Sequence, residues 1–269
     1  MHNSQLIHLF LTAERAAGAP ETTLRTRRQH LANLARYFPS LATVTGAELV
    51  DWTAGRAWAV ETRRGRRTTF RAFFAWMVDE GYRPDNPALK LRRVPPSQPV
   101  ARPAPERVYR KALMQAPARV RLMLRLAREA GLRRAEIARV HAGDLIEDML
   151  GVSLLVHGKG NRQRVVPLAD GLAAELLARF ELHGDGFAFP GDIAGHLSPE
   201  YVGKLMARAL PGKWTAHPLR HSFAGATYLV DRDVFAVQEL LGHASPATTR
   251  RYVPRANDEH LRRTVNAAA

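Results

Sequence analysis

The chain has 269 residues, a length that suits two domains or one larger one, and with 46% of them hydrophobic it can bury real cores and is too apolar for global disorder. The absence of cysteine excludes disulfides, iron–sulfur clusters and thiolate zinc sites. Lysine and arginine total 40 against 25 acids, a net charge of +15 that points to a polyanionic partner whose binding weakens with salt. Only 5 of those 40 cations are lysine; codon bias in a GC-rich genome accounts for that choice, but not for the excess of cations over acids. No apolar run reaches the roughly 18 residues of a membrane span, and no basic-then-apolar leader opens the chain, so neither a span nor a signal peptide is expected.

Residues 1–91 read as a helical domain. SQLIHLFLTAERAAG forms the first helix, with Ser4 near its N-cap and Gly18 at its end. The second starts near Pro20, with Leu24, Leu31, Leu34 and Phe38 on one stripe and Arg25, Arg28 and Arg36 opposite. A short helix near Ala47–Trp52 follows. The fourth, from about Arg63 to Glu80, sets Phe70, Phe73, Phe74 and Met77 at helical spacing, a core stripe. Its polar start, TRRGRRTTFR, holds Arg63, Arg64, Arg66, Arg67 and Arg71. Either this is a solvated basic turn or it faces phosphates; placement near a helix N-terminus, where the dipole repels cations, favours an anionic partner.

Residues 92–105, RRVPPSQPVARPAP, form a proline-rich linker, since prolines this dense stop helices and favour extended chain. From 106 to 269 the pattern is mixed. A helix over Val120–Ala130 stops at Gly131, and LRRAEIARV begins another. GVSLLV and RQRVVPL form a β-hairpin around HGKGN. Asp170 caps a helix to about Phe180, and FAF near 188 is a short strand. Further helices begin at Ser198-Pro199, His217-Pro218, Asp233 (ending at Gly242) and Ser245-Pro246.

Several of these residues suit phosphate chemistry. His217 and Arg220 lie three apart near a helix N-terminus and share a face. A guanidinium fork matches two phosphate oxygens, and an imidazole relays a proton near neutral pH. Gly242 ends a helix in a turn that aims His243. Tyr252 follows nine residues later; a phenol with pKa of about 10 becomes a nucleophile only where cations stabilise its phenolate and a base takes its proton. Upstream, Arg133 opens a short helix, and Lys159 sits between glycines at the hairpin tip. Each alone reads as readily as a cap, an ion pair or an exposed side chain.

Taken together, GLRRAEI, HGKGNRQRVVPL, HPLRHSF and LGHASPATTRRY resemble, in order and spacing, the boxes of the tyrosine recombinase (phage integrase) family. The resemblance covers most of the chain and is closest to compact two-domain members, Xer-like enzymes or minimal phage integrases. It implies a mainly α fold with a small β-sheet: an N-terminal helical, SAM-like core-DNA-binding domain and an α+β catalytic domain. It implies Tyr252 as nucleophile, forming a 3′-phosphotyrosyl link and a free 5′-hydroxyl. Arg133 and Arg220 would hold the phosphate oxygens and His243 would hydrogen-bond them. Lys159 would protonate the leaving oxygen, His217 would assist proton transfer, and Glu136 would hold the geometry from behind. Neither metal nor ATP is implied. The implied partner is double-stranded DNA with paired half-sites, bound as a homotetramer on two sites, with an accessory DNA-bending protein as an optional addition. The implied setting is the cytoplasm of a bacterial or phage-host cell, on the nucleoid. HLRRTV, near the end, reads either as a frayed terminus or as a short helix that docks on a neighbouring subunit.

Two other readings remain. A metal-dependent phosphodiesterase could use His217, His221 and His243, although Pro218 replaces the glutamate of HExxH and Arg220 would repel a dication. A non-catalytic DNA-binding regulator could share the basic surfaces but would have no use for Tyr252 or Lys159.

Overall fold

The computed structural model describes residues 2–97, 102–158 and 162–242. Two compact units divide the chain between Gln98 and Pro99.

The first unit contains α1 (Asn3–Ala16), α2 (Glu21–Ala35), α3 (Gly46–Ala54) and α4 (Val60–Asp79), followed by a 3-10 turn at Pro87–Lys90. The expected stripes form its core: Leu24, Leu31 and Leu34 from α2 meet Phe70, Phe73, Phe74 and Met77 from α4, all buried. Phe10 of α1 packs edge-on against Phe73 with centroids 5.4 Å apart. Two buried polar residues fix the connections. Asn3 donates to the carbonyls of Phe38 and Pro39 and accepts from the Leu41 amide. Arg83 donates to the carbonyls of Leu41 and Val44 and to Asp85.

Some boundaries differ from the sequence reading. His2, not Ser4, caps α1, because its ring accepts from the Ser4 amide. Helix α4 begins at Val60, so the arginine run starts one turn inside the helix rather than at its dipole end, and Glu61 in the first turn already pairs with Arg64. The dipole argument for that run therefore falls away.

The second unit is built around α6 (Ala118–Glu129), which packs against α5 (Glu106–Gln115), α7 (Arg134–Ala138), α8 (Asp170–His183), α9 (Pro199–Ala209) and α10 (Ala216–Asp231). Leu122, Met123, Leu124 and Leu126 of α6 are all buried, as expected of a helix surrounded by others. Beside it lies an antiparallel sheet in the order β1 (Leu145–Asp148), β2 (Gly151–His157), β3 (Gln163–Pro167). Pairing of Leu154 with Val166 and of Val156 with Arg164 sets the register. Helix α11 (Val234–Leu241) follows α10 and closes the described chain at Gly242.

The hairpin was legible; β1 was not, because LIED is short, mostly exposed and carries no alternation. Helix α5 also escaped the pattern, behind a run of prolines. The strand expected at FAF lies instead at β4 (Pro190–Ile193), while Phe187 makes an isolated bridge to His141. Asp170 is the first residue of α8, with Ala169 as its cap, and Thr215 rather than His217 precedes α10. The helix expected after Ser245 and the tail HLRRTV lie outside the described residues, as do Lys159, His243 and Tyr252.

Candidate active site

A break between α6 and α7 starts the site. Gly131 adopts φ +64°, a left-handed conformation that only glycine takes without strain. A Cβ here would also lie 2.4 Å from Cδ1 of Phe223 on α10. The glycine thus serves two purposes: it reverses the chain so that Arg133 can precede α7, and it lets α10 approach closely. Its carbonyl accepts from Nη1 of Arg220.

Arg220 is 2% exposed, so its charge must be met inside the protein. Besides Gly131, it donates through Nη2 to the carbonyl of Leu241 at 2.6 Å. Glu136 lies 3.6 Å from Nη1. These contacts hold the guanidinium in one orientation at the wall of a cleft, with little rotamer freedom left to lose when an anion arrives.

Glu136 is the counter-charge of the whole cluster. It is 5% exposed, accepts from the Arg133 amide at 2.8 Å and receives Arg133 Nη1 at 2.7 Å. Arg164 completes it with two parallel bonds, Nη1 to Oε1 at 3.0 Å and Nη2 to Oε2 at 2.8 Å. Burial resists ionisation of this carboxyl, but the Arg164 fork and charge, the Arg133 amide and Arg220 outweigh it and hold Glu136 at about 2. Three guanidiniums thus meet one carboxylate here, leaving surplus positive charge for a further anion.

His217 opens onto the same face. Its ring meets His221, one turn along α10, edge-to-face with centroids 4.3 Å apart. Burial, then Arg220 and Arg133, lower its pKa, favouring the neutral ring that can both give and take a proton. Burial, the His217 ring and Arg220 push His221 down to about 4. Arg133, Arg220 and His217 line a cleft of about 730 Å³, with Arg134, Glu200 and Lys204 at its sides.

The structure therefore brings together four of the expected residues, Arg133, Glu136, His217 and Arg220. Lys159, His243 and Tyr252 belong to stretches outside the described residues. Arg164 and Gly131 were missed as participants. The signal for Arg164 was its position: with β3 alternating, it points to the same side as buried Val166, where an arginine needs a partner.

Residues 106–259 match the family model for the phage integrase family. The chain belongs to this family. It is 32% identical, over an alignment 281 positions long, to the tyrosine recombinase XerC of Rhodospirillum centenum, covering 92% of this chain and 81% of that one. The XerC of Haemophilus ducreyi is 31% identical, covering 76% and 71%. Among solved structures, a lambda integrase dimer bound to a COC′ core site aligns over 96% of this chain and 79% of that one, with TM-score 0.76 and 20% identity. The XerH recombinase in a post-cleavage complex with difH aligns over 99% and 84%, with TM-score 0.71 and 23% identity. The fold is that of a tyrosine recombinase, mainly helical with a small sheet. Among the described residues no helix is long and apolar enough to cross a membrane.

The arginine run of the first unit has a different character. Arg63 donates to the Arg56 carbonyl, Arg66 to Asn33, and Arg67 to the Leu91 carbonyl. Arg66 also stacks on Trp58 with its guanidinium carbon 4.2 Å from the ring centroid. These side chains, with Lys90, Arg92 and Arg93, border a cavity of about 380 Å³ floored by Trp58 and Phe70. Arg64 pairs with Glu61, and Arg71 offers its carbonyl to Asn86. Part of the run is thus engaged within the domain, not wholly reserved for a ligand.

Proposed function

We propose that this tyrosine site-specific recombinase cleaves and rejoins duplex DNA through Tyr252, without metal or ATP. The observation that carries the reading is the convergence of Arg133, Arg220 and His217 on one cleft with surplus positive charge. In the reaction, the Tyr252 oxygen attacks phosphorus and the bond to the 5′-oxygen breaks. A 3′-phosphotyrosyl link remains, and the 5′-oxygen leaves with a proton from Lys159. The phenolic proton passes to a base, with neutral His217 assisting. Arg133 and Arg220 offset the charge that grows on the non-bridging oxygens, and His243 adds a hydrogen bond to them. Glu136 keeps Arg133 and Arg220 in place. Because the ester energy is retained on the tyrosine, rejoining needs no nucleotide.

Strand exchange of this kind passes through a Holliday junction, and structures of lambda integrase exist as a dimer on a core site and as a tetramer on such a junction. By extension, four copies of this chain act on two DNA sites made of paired half-sites. Arg63, Arg64, Arg66, Arg67 and Arg71 contribute phosphate contacts from the first unit. Family membership favours this reading over a metal phosphodiesterase and over a non-catalytic regulator.

The test uses a nicked suicide substrate carrying the cognate core site. Wild type traps a covalent protein–DNA adduct, Tyr252→Phe traps none, and EDTA changes neither result. Absence of adduct in wild type would favour the regulator; loss of adduct with chelator would restore the metal enzyme.

A further inference from the structure

Arg164 is outside the set of groups assigned to the phosphate, yet it links two elements of the site, Glu136 on α7 and the end of α11. It stands on β3, five residues after Lys159 in sequence. Its side chain is 8% exposed and forms the two-point pair with Glu136, the carboxylate that also holds the Arg133 amide and side chain. Its Nε donates at 2.7 Å to the carbonyl of Leu240, in the last turn of α11. The next carbonyl, that of Leu241, belongs to Arg220. Two guanidiniums therefore clamp consecutive carbonyls at the C-terminus of α11, where free carbonyls and the helix dipole both favour cations.

The fit is close. Gly242, at φ +60°, ends α11, and a Cβ there would lie 3.0 Å from Cδ of Arg164. The next residue in sequence is His243, and Tyr252 follows nine later. A planar fork with a separate Nε donor can bond to a carboxylate and a carbonyl at once; an ammonium cannot reproduce that geometry.

We infer that Arg164 is a positioning residue for the strand-cleavage step, locking the end of α11 to the Glu136–Arg133 pair. This rests on the recombinase reading above. Arg164 touches no reacting atom; it sets the registry between the groups that hold the phosphate and the chain segment that leads to the nucleophile. A generic core cation needs only a counter-charge; Arg164 instead bonds through three nitrogens to two separate elements, the Glu136 carboxylate and the Leu240 carbonyl.

The experiment compares wild type, Arg164→Lys and Tyr252→Phe on the nicked substrate, measuring single-turnover adduct formation, DNA affinity and melting temperature. A parallel substrate carries sulfur in place of the scissile 5′-oxygen, a leaving group that needs no proton. Arg164→Lys should bind DNA within about twofold of wild type yet form adduct at least about 100-fold more slowly on both substrates, as small misplacements of reacting groups do. Wild-type cleavage by Arg164→Lys would overturn the inference. So would rescue by the sulfur substrate, which would place its action at Lys159, or a loss of rate that merely follows a loss of DNA affinity. Should Arg164→Lys fail to fold, Glu136→Gln and Glu136→Gln/Arg164→Gln are compared; both lack the carboxylate near Arg220, which keeps the Gly131 and Leu241 carbonyls, so the pair differs only at position 164. A further drop of about tenfold or more on adding Arg164→Gln supports the positioning role. No further drop reduces Arg164 to a counter-ion of Glu136. An adduct missing from wild type itself would instead count against the recombinase reading.

Discussion

Two arginine-rich regions of this molecule solve opposite problems. Around Glu136, the guanidiniums of Arg133, Arg164 and Arg220 are held by a carboxylate and by helix-end carbonyls, and Arg164 and Arg220 are almost fully buried. On α4, the arginines lie half-exposed, leaning on an indole, an amide and stray carbonyls. Buried cations must have their acceptors fixed before any ligand arrives, so each is tied to one geometry and its loss strips buried acceptors of a donor. Exposed cations tolerate approximate placement and act through summed charge, which salt screens. On the proposed function, precision belongs to the first region and steering to the second.

The contrast is most sharply tested at Arg220. Arg220→Ala should slow adduct formation by about 10²–10³-fold or more, as loss of one preorganised donor does. It should also lower stability by about 2–5 kcal/mol, because the buried carbonyls of Gly131 and Leu241 lose their donor, while Glu136 keeps Arg133 and Arg164. Urea unfolding and single-turnover cleavage measure the two effects separately. A variant with full stability and no cleavage would show that the carbonyl contacts are dispensable to the fold.

Next in size is Gly131→Ala. Left-handed backbone costs a non-glycine residue about 1–2 kcal/mol, and the new methyl would have to displace the Phe223 ring. A loss of about 2–4 kcal/mol in denaturant titration is expected. Gly131→Ala/Phe223→Leu should recover part of it.

The cluster also predicts acid sensitivity. Glu136 stays ionised in the folded protein down to about 2, whereas an ordinary glutamate protonates at 4.5. The unfolded chain therefore takes up the proton first, and the stability from this group is complete above about 4.5 and lost as the pH falls toward 2. His217 and His221 act at higher pH. Their folded-state pKa values lie below 6.5, so stability starts to decline as the pH drops through 6.5, until His221 protonates at about 4. Melting curves across this range should show both phases, and Glu136→Gln should remove the lower one.

The smallest effects belong to α4. Arg64→Ala or Arg71→Ala should weaken DNA binding evenly across sequences and reduce the slope of log K against log salt by about 1. Cleavage at saturating protein should not change. Arg66→Ala should differ, since it also strips the face of Trp58 and so costs stability. If Arg64→Ala slowed cleavage on saturated DNA, the division between steering and precision would fail.

How much of this was readable beforehand follows the same division. Local chemistry determined the aromatic stripe of α4, the halt of α6 at Gly131, the pairing of β2 with β3 and the family boxes, because spacing, turn residues and residue type are properties of the chain itself. Only tertiary structure decided that Arg66 and Arg67 would be partly engaged inside their own domain, that LIED would add a third strand, and that Arg164 would meet Glu136 and Leu240. Those outcomes depend on which acceptors lie within about 3 Å after packing. Glu136 and Arg164 are 28 residues apart, and Arg164 and Leu240 are 76 apart. Helical and strand periodicity carries no information across such distances. The need of a buried guanidinium for fixed acceptors supplies it once the fold has formed.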